Sequence, residues 1–177
     1  MEKIKKLKKI FSREEIDGYI IPKNDEFFGE YIPPHSDRLN FISNFSGSYG
    51  FALILRDKNY LFVDGRYTLQ ANNQSGKAFK IVTISNKIPN DILRDKKISI
   101  GFDPNLVTKK FLSIFFGKNN CIYKPVFNNL IDEIWKRKII NNKYKFFTLP
   151  RNSVGERYQL KVNKIYNYLK TKKSDFL

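Results

Sequence analysis

The residue types that could do chemistry gather in one stretch, Arg38 to Ala71 (RLNFISNFSGSYGFALILRDKNYLFVDGRYTLQA), where serine, arginine, aspartate and tyrosine alternate with glycines and apolar runs. Ser48 with His35 and Asp37 offers the types of a hydrolytic triad, in which a base takes the serine proton and a carboxylate orients the base. Ser46-Gly47-Ser48-Tyr49-Gly50 lacks the first glycine of a nucleophile elbow, so the turn reads as a glycine hinge and His35 as a locally bonded loop residue. A metal centre needs three or four converging ligands. Asp132 and Glu133 are neighbours that diverge on a helix and Asp25-Glu26 lies in a loop, so both pairs read as surface charge and no metal site is predicted. Neither G-x-x-x-x-G-K-[ST] nor G-x-G-x-x-G occurs, which leaves no phosphate cradle. Arg38, Asp64, Arg66, Tyr67 and Gln70 fall at the ends of an expected hairpin. There Asp64 suits a helix cap and the arginines suit nearby acids or carbonyls.

These residues must be positioned by elements that hydrophobic periodicity makes visible. Ile4, Leu7, Ile10 and Phe11 form one face of a lysine-rich helix, and Ile16–Ile21 reads as a strand closed by Pro22. A short helix carries Leu39 and Phe41. Phe51–Leu55 and Tyr60–Val63 then make a hairpin around Arg56-Asp57-Lys58-Asn59, and a helix follows Asp64. Strands over Phe79–Ile84, Ile98–Phe102 and Cys121–Val126 alternate with helices around Ile88–Leu93, Lys109–Phe116 (capped by Thr108) and Asn129–Lys136. Asp103-Pro104 ends the middle strand, and Phe111, Phe115 and Phe116 at helical spacing are core. The pattern predicts an α/β three-layer sandwich with a mixed sheet of about six strands. After a linker over residues 141–152, Ser153 and Glu156 have capping-box spacing. The helix that follows aligns Tyr158, Val162, Ile165, Tyr166 and Leu169, and Asp175-Phe176-Leu177 reads as the start of a strand.

Composition narrows the class. The 177 residues are 41% hydrophobic and 15% aromatic, enough for a core. No apolar run approaches the ~20 residues of a membrane span. With one cysteine, Cys121, and one histidine there is neither an internal disulfide nor a Cys/His zinc cluster, and a reducing cytoplasm is the expected setting. The net charge of +16 raises nucleic acid as a partner. Of the 33 Lys and Arg residues only eight are arginines, and the 25 lysines are spread over nearly every segment, so a solvated basic surface is the expectation.

DGYIIP, EYIPP, RLNFISNFSGSYG, FVDGRYTLQA, IGFDP and NLIDEIW occur in the order found in the amino-terminal domain of the larger Xaa-Pro aminopeptidases (aminopeptidase P), of the creatinase and prolidase superfamily. The chain resembles that domain over residues 1–140. The resemblance implies a ribonuclease-H-like creatinase amino-terminal domain, non-catalytic, used in assembly and in walling the peptide entrance. Residues 153–177 would open a second, similar domain that is cut short. The family's activity, release of an amino-terminal residue preceding proline, resides in a "pita-bread" domain with two divalent metals, usually manganese. That domain's two aspartates, histidine and two glutamates have no counterpart in this sequence, so no cofactor is expected here.

The expected partners are that catalytic domain, further copies in a homo-oligomer and the peptide substrate, with no membrane. Arg38, Phe41, Phe45, Ser48 and Tyr49 are the entrance or interface candidates. Gly47, Gly50, Asp64, Gly65, Arg66, Tyr67, Gln70, Asp103 and Trp135 are motif residues with a structural role. The competing reading is a stand-alone basic binding module, with nucleic acid as its partner. Ribonuclease H chemistry itself is excluded by the hairpin strands, which carry no carboxylate before Asp64.

Overall fold

The computed structural model of the chain describes residues 1–137 and 147–174. Contacts divide the chain into two compact units, residues 1–139 and 140–177. The first is built on a six-stranded sheet of order β4-β3-β2-β1-β5-β6. Its strands are β1 (Gly18–Pro22), β2 (Gly50–Leu55), β3 (Asn59–Val63), β4 (Lys80–Thr83), β5 (Ser99–Phe102) and β6 (Ile122–Pro125). β2 pairs antiparallel with β1 and β3, whereas β3–β4, β1–β5 and β5–β6 are parallel. Five strands therefore run one way and β2 alone runs back.

The apolar residues of β1, β2 and β3 are buried because each strand is covered on both faces, which is why they read as continuous runs. Successive residues serve opposite cores. Tyr19, Ile21, Ala52, Ile54, Leu61 and Val63 meet helices α1 (Glu2–Ile10), α2 (Arg38–Ser43), α3 (Thr68–Ser75) and α6 (Leu130–Ile134). Ile20, Phe51, Leu53, Leu55, Phe62 and Ile100 meet α4 (Pro89–Leu93) and α5 (Lys109–Phe116) through Leu93, Phe115 and Phe116. This is the three-layer sandwich expected. The sheet ends in short strands carrying Lys80 at one edge and Lys124 and Pro125 at the other, which discourages further pairing.

The expected elements form with small shifts at their ends. The helix after Asp64 begins as a 3-10 turn, Gly65–Tyr67, and the one near Asn129 stops at Ile134. Asp64, Thr108 and Asn129 each accept backbone N–H bonds at a helix start.

In the second unit the Ser153–Glu156 capping box does not form. Ser153 closes a 3-10 turn, Arg151–Ser153, and Glu156 turns to Lys164 at 2.6 Å. Helix α7 consequently starts later, at Tyr158, and runs to Lys172, where Lys173 adopts a left-handed conformation (φ 51°) and ends it. Tyr158, Val162, Ile165 and Tyr166 on α7 are exposed. Residues 141–146 of the expected linker and the strand start Asp175-Phe176-Leu177 lie outside the described residues.

Candidate functional site

Strand direction gathers the sequence-predicted residues at one edge of the sheet. β1, β3, β4, β5 and β6 finish there and β2 begins there, as the pairings Pro22 with Phe51, Gly50 with Val63, Val63 with Thr83 and Phe102 with Pro125 require. The edge thus carries the turn into β2 (Ser46–Tyr49), the exit of β3 (Asp64–Tyr67), Asp103 after β5, and the long loop after β1. Outer edges formed by strand carboxyl ends are where α/β sheets place their binding residues.

One group is built on the glycine turn. The Ser48 hydroxyl bonds the Tyr67 hydroxyl at 2.7 Å, and the Tyr67 ring meets the Phe45 ring edge-on at 5.9 Å. Gln70 and Gln74 each donate Nε2 to Ser46 Oγ at 2.9 Å, while the Ser46 N–H returns a bond to Gln74 Oε1 at 3.0 Å. Helix α3 therefore clamps the turn along its length. Asp64 Oδ1 accepts from both the backbone N–H and the Nε of Arg66, at 3.0 and 2.9 Å, and these bonds hold its carboxyl below the usual aspartate range. The glycines here serve packing, not hinging: a Cβ on Gly47 would lie 2.2 Å from Phe45 Cζ and one on Gly50 2.7 Å from the Phe62 carbonyl oxygen, and neither has a positive φ. Ser48 and Tyr49 face solvent, whereas Phe45 is buried.

The second group surrounds Arg38, 3% exposed. Its Nε and Nη2 grip both oxygens of Asp132 at 2.8 Å, and Nη2 also reaches Glu26. Burial alone would lower the guanidinium's pKa, but the hydrogen bonds and charge of Asp132 and Glu26 outweigh it and raise it. Arg137 adds a 2.6 Å bond to the same Asp132 carboxylate and donates to the His35 carbonyl, also at 2.6 Å. Phe41 stacks on Trp135 at 4.6 Å, with the Arg137 guanidinium 5.2 Å from the indole centre. Asp103, also buried, accepts from the Asn105 N–H and the Asn129 side chain. Beneath it the Tyr19 hydroxyl is buried without a formed hydrogen bond, and burial, then the charge of Asp103, pushes its pKa up.

Of the four acids read as surface charge, Glu26 and Glu133 are exposed, whereas Asp25 and Asp132 are structural. Asp132 is the main anchor of Arg38, and the neighbouring Glu133 takes both Nη groups of Arg13, at 2.8 and 2.6 Å. Asp25 is buried and accepts from the Phe27 and Gly29 N–H groups at 3.1 Å, shaping a loop in which Phe28 takes a left-handed φ of 53°. The triad residues do not converge: Ser48 is bonded to Tyr67, while Asp37 caps α2 and pairs with Lys23. Among the described residues no group of three or more His, Cys, Asp or Glu side chains is arranged to hold a metal ion.

Three layers around a mixed sheet, with a clamped glycine turn and a buried Arg38 cluster at one edge, define an α/β domain. Residues 3–119 match the family model of the creatinase/prolidase N-terminal domain, and the chain belongs to that family. Among curated relatives, the probable Xaa-Pro aminopeptidase P of Aspergillus flavus is 29% identical over 98% of this chain, and that of Penicillium rubens 31% over 97%. The chain spans 28% and 30% of those relatives' own lengths.

Among solved structures, the X-prolyl aminopeptidase of Caenorhabditis elegans, a cytosolic enzyme with a di-nuclear active site, superposes with a TM-score of 0.68 at 26% identity. The match covers 98% of this chain and 32% of that one. The N-terminal domain of a putative metallopeptidase from Corynebacterium diphtheriae shares the fold, with a TM-score of 0.55 at 17% identity over 71% of this chain and 94% of its own. No helix among the described residues is long and apolar enough to cross a membrane.

Proposed function

We propose that the chain acts as the non-catalytic amino-terminal domain of an Xaa-Pro aminopeptidase of the dinuclear-metal type, contributing to subunit assembly and shaping the entrance through which peptides reach a catalytic domain. The observation that carries this reading is the clamped turn: Ser48 and Tyr49 stand in solvent on a segment that Gln70, Gln74 and Tyr67 hold rigid. A wall of an entrance must keep its shape without substrate, and such a turn does. Arg38, Phe41 and Phe45 support that wall from inside, since Arg38 and Phe45 are buried and Phe41 packs against Trp135. In this reading residues 1–140 are the accessory domain and residues 153–177 begin a second one. The two metal ions would be held by the catalytic domain, in a cytoplasmic enzyme.

The test uses a full-length enzyme containing this domain. Tyr49→Ala should raise KM for Xaa-Pro peptides while leaving kcat in place, because an entrance residue affects capture and not bond cleavage. Unchanged KM for both short and long Xaa-Pro peptides removes the entrance role. Turnover of such peptides by the 177-residue chain alone, supplied with manganese, would overturn the non-catalytic assignment.

A further inference from the structure

Large aromatic side chains left in water collect at the same edge of the sheet. Phe27 and Tyr31 are 88% and 87% exposed, and Phe28, Tyr49 and Phe127 are exposed as well. Phe27, Phe28 and Tyr31 sit on the loop leaving β1, and Tyr49 precedes Gly50, whose carbonyl accepts from the Lys23 N–H at 3.0 Å as that loop begins. Phe127 follows β6 and lines, with Glu26 and Asp103, a cleft of about 520 Å³. Clustered apolar surface of this kind on a folded domain marks a place where something binds.

The charge around these rings indicates what binds. The chain carries +16 overall, yet residues 24–37 contain no lysine or arginine; of their acids Asp25 is buried against the loop backbone, Glu26 and Asp37 pair with the flanking Arg38 and Lys23, and Glu30 is left over. Glu30 has no ion-pair partner among the described residues, and the cleft's Asp103 is held only by neutral donors, the Asn105 N–H and the Asn129 amide. The faces of aromatic rings attract cations, and carboxylates beside them strengthen the attraction. An anionic partner would be repelled. A second copy docking symmetrically through this edge would oppose its own acidic residues to themselves, because a two-fold contact is made by one patch on both sides.

We infer that the β1 loop edge is a docking surface for a cationic polypeptide segment, whose lysine or arginine side chains lie over Phe27, Tyr31 and Phe127 and meet Glu30. The assignment is independent of the parent enzyme's activity. It is tested by titrating the 177-residue chain with an alternating Lys-Ala decapeptide, an Arg-Ala decapeptide and a Glu-Ala control, following backbone amide shifts by NMR at low and high salt. The two basic peptides should shift the Phe27–Tyr31 and Phe127 amides and the acidic control should not.

Phe27→Ser with Phe28→Gly should weaken binding about tenfold, in line with the loss of exposed cation–π contacts. Because both side chains are exposed, thermal melting should show the variant folded. Glu30→Lys should weaken binding without touching the rings, and should flatten its salt dependence. Shifts scattered over the lysine-rich surfaces, or equal binding by wild type and both variants, overturn the proposal. So does self-association of the free chain that the double variant abolishes, which would give the edge to a second copy instead.

Discussion

Arg38 and Arg66 belong to one stretch of sequence and each is held by an aspartate, but the two pairs have different standing in the fold. Arg66 turns back on Asp64, two residues away, and its side chain remains 74% exposed. Arg38 is buried, and its partners Asp132 and Glu26 come from distant parts of the chain. The first pair completes a cap made wholly from neighbouring residues. The second ties α2 to α6 and to the β1 loop, and it can form only when the domain is assembled. A charge at the surface exchanges its partner for water at little cost, whereas a buried one cannot.

The contrast is sharpest when each arginine is removed. Arg38→Ala should destabilise the domain by about 3 kcal/mol, the low end for a broken buried pair, because Glu26 loses its cation while Asp132 keeps Arg137. Urea unfolding would measure it, and Arg38→Met with Asp132→Leu should recover part of the loss if the penalty arises from stranded charge. Arg66→Ala should leave the melting temperature unchanged. A large loss there would break the comparison.

Glycines on the two sides of β3 give a second, smaller contrast. Gly50→Ala drives a methyl to 2.7 Å from the Phe62 carbonyl oxygen inside the ladder and should cost roughly 1–3 kcal/mol. At Gly65 the nearest atom would be Thr83 Cγ2 at 3.8 Å, an ordinary contact. Gly65→Ala should therefore be neutral, or stabilising by up to about 1 kcal/mol through a less flexible unfolded chain.

The smallest effect concerns acid. The bonds from Arg13 hold the Glu133 carboxyl below its ordinary value, so their contribution is complete above the unfolded glutamate pKa of about 4.3 and fades as pH falls through the lower folded one. Arg13→Ala should move the Glu133 titration, followed by carboxyl NMR, back up toward that value, with little change in stability at neutral pH. Asp17 behaves in the same direction. Burial raises its pKa, but the Ser99 N–H and Arg56 outweigh burial and leave it lowered.

The same distinction between local and distant partners explains how much could be read before the structure. The hairpin, the caps at Asp64 and Thr108 and the alternation of helices and strands along the chain depend on neighbours within a few residues, and all were legible. The role of Asp132 was not, because nothing in NLIDEIW states that a carboxylate will meet Arg38 across 94 positions. Asp25 looked like surface charge because its two acceptor bonds serve the backbone of a loop whose conformation periodicity does not encode. The Ser153 box failed for the converse reason: its spacing was right, but Glu156 found a cation in Lys164 and left the cap unmade.

The lone reversed strand, β2, bears on the order in which the domain assembles. β2 and β3 form a hairpin closed by a short turn, whereas β1 joins β2 across a long loop and α2, and β5 pairs with β1 across the whole of β2, β3 and β4. Short-range pairing closes small loops and forms early, and long-range insertion is slow. The β2–β3 hairpin is thus expected to act as the folding nucleus, with Leu53→Ala slowing refolding and Ile100→Val mainly hastening unfolding in stopped-flow kinetics.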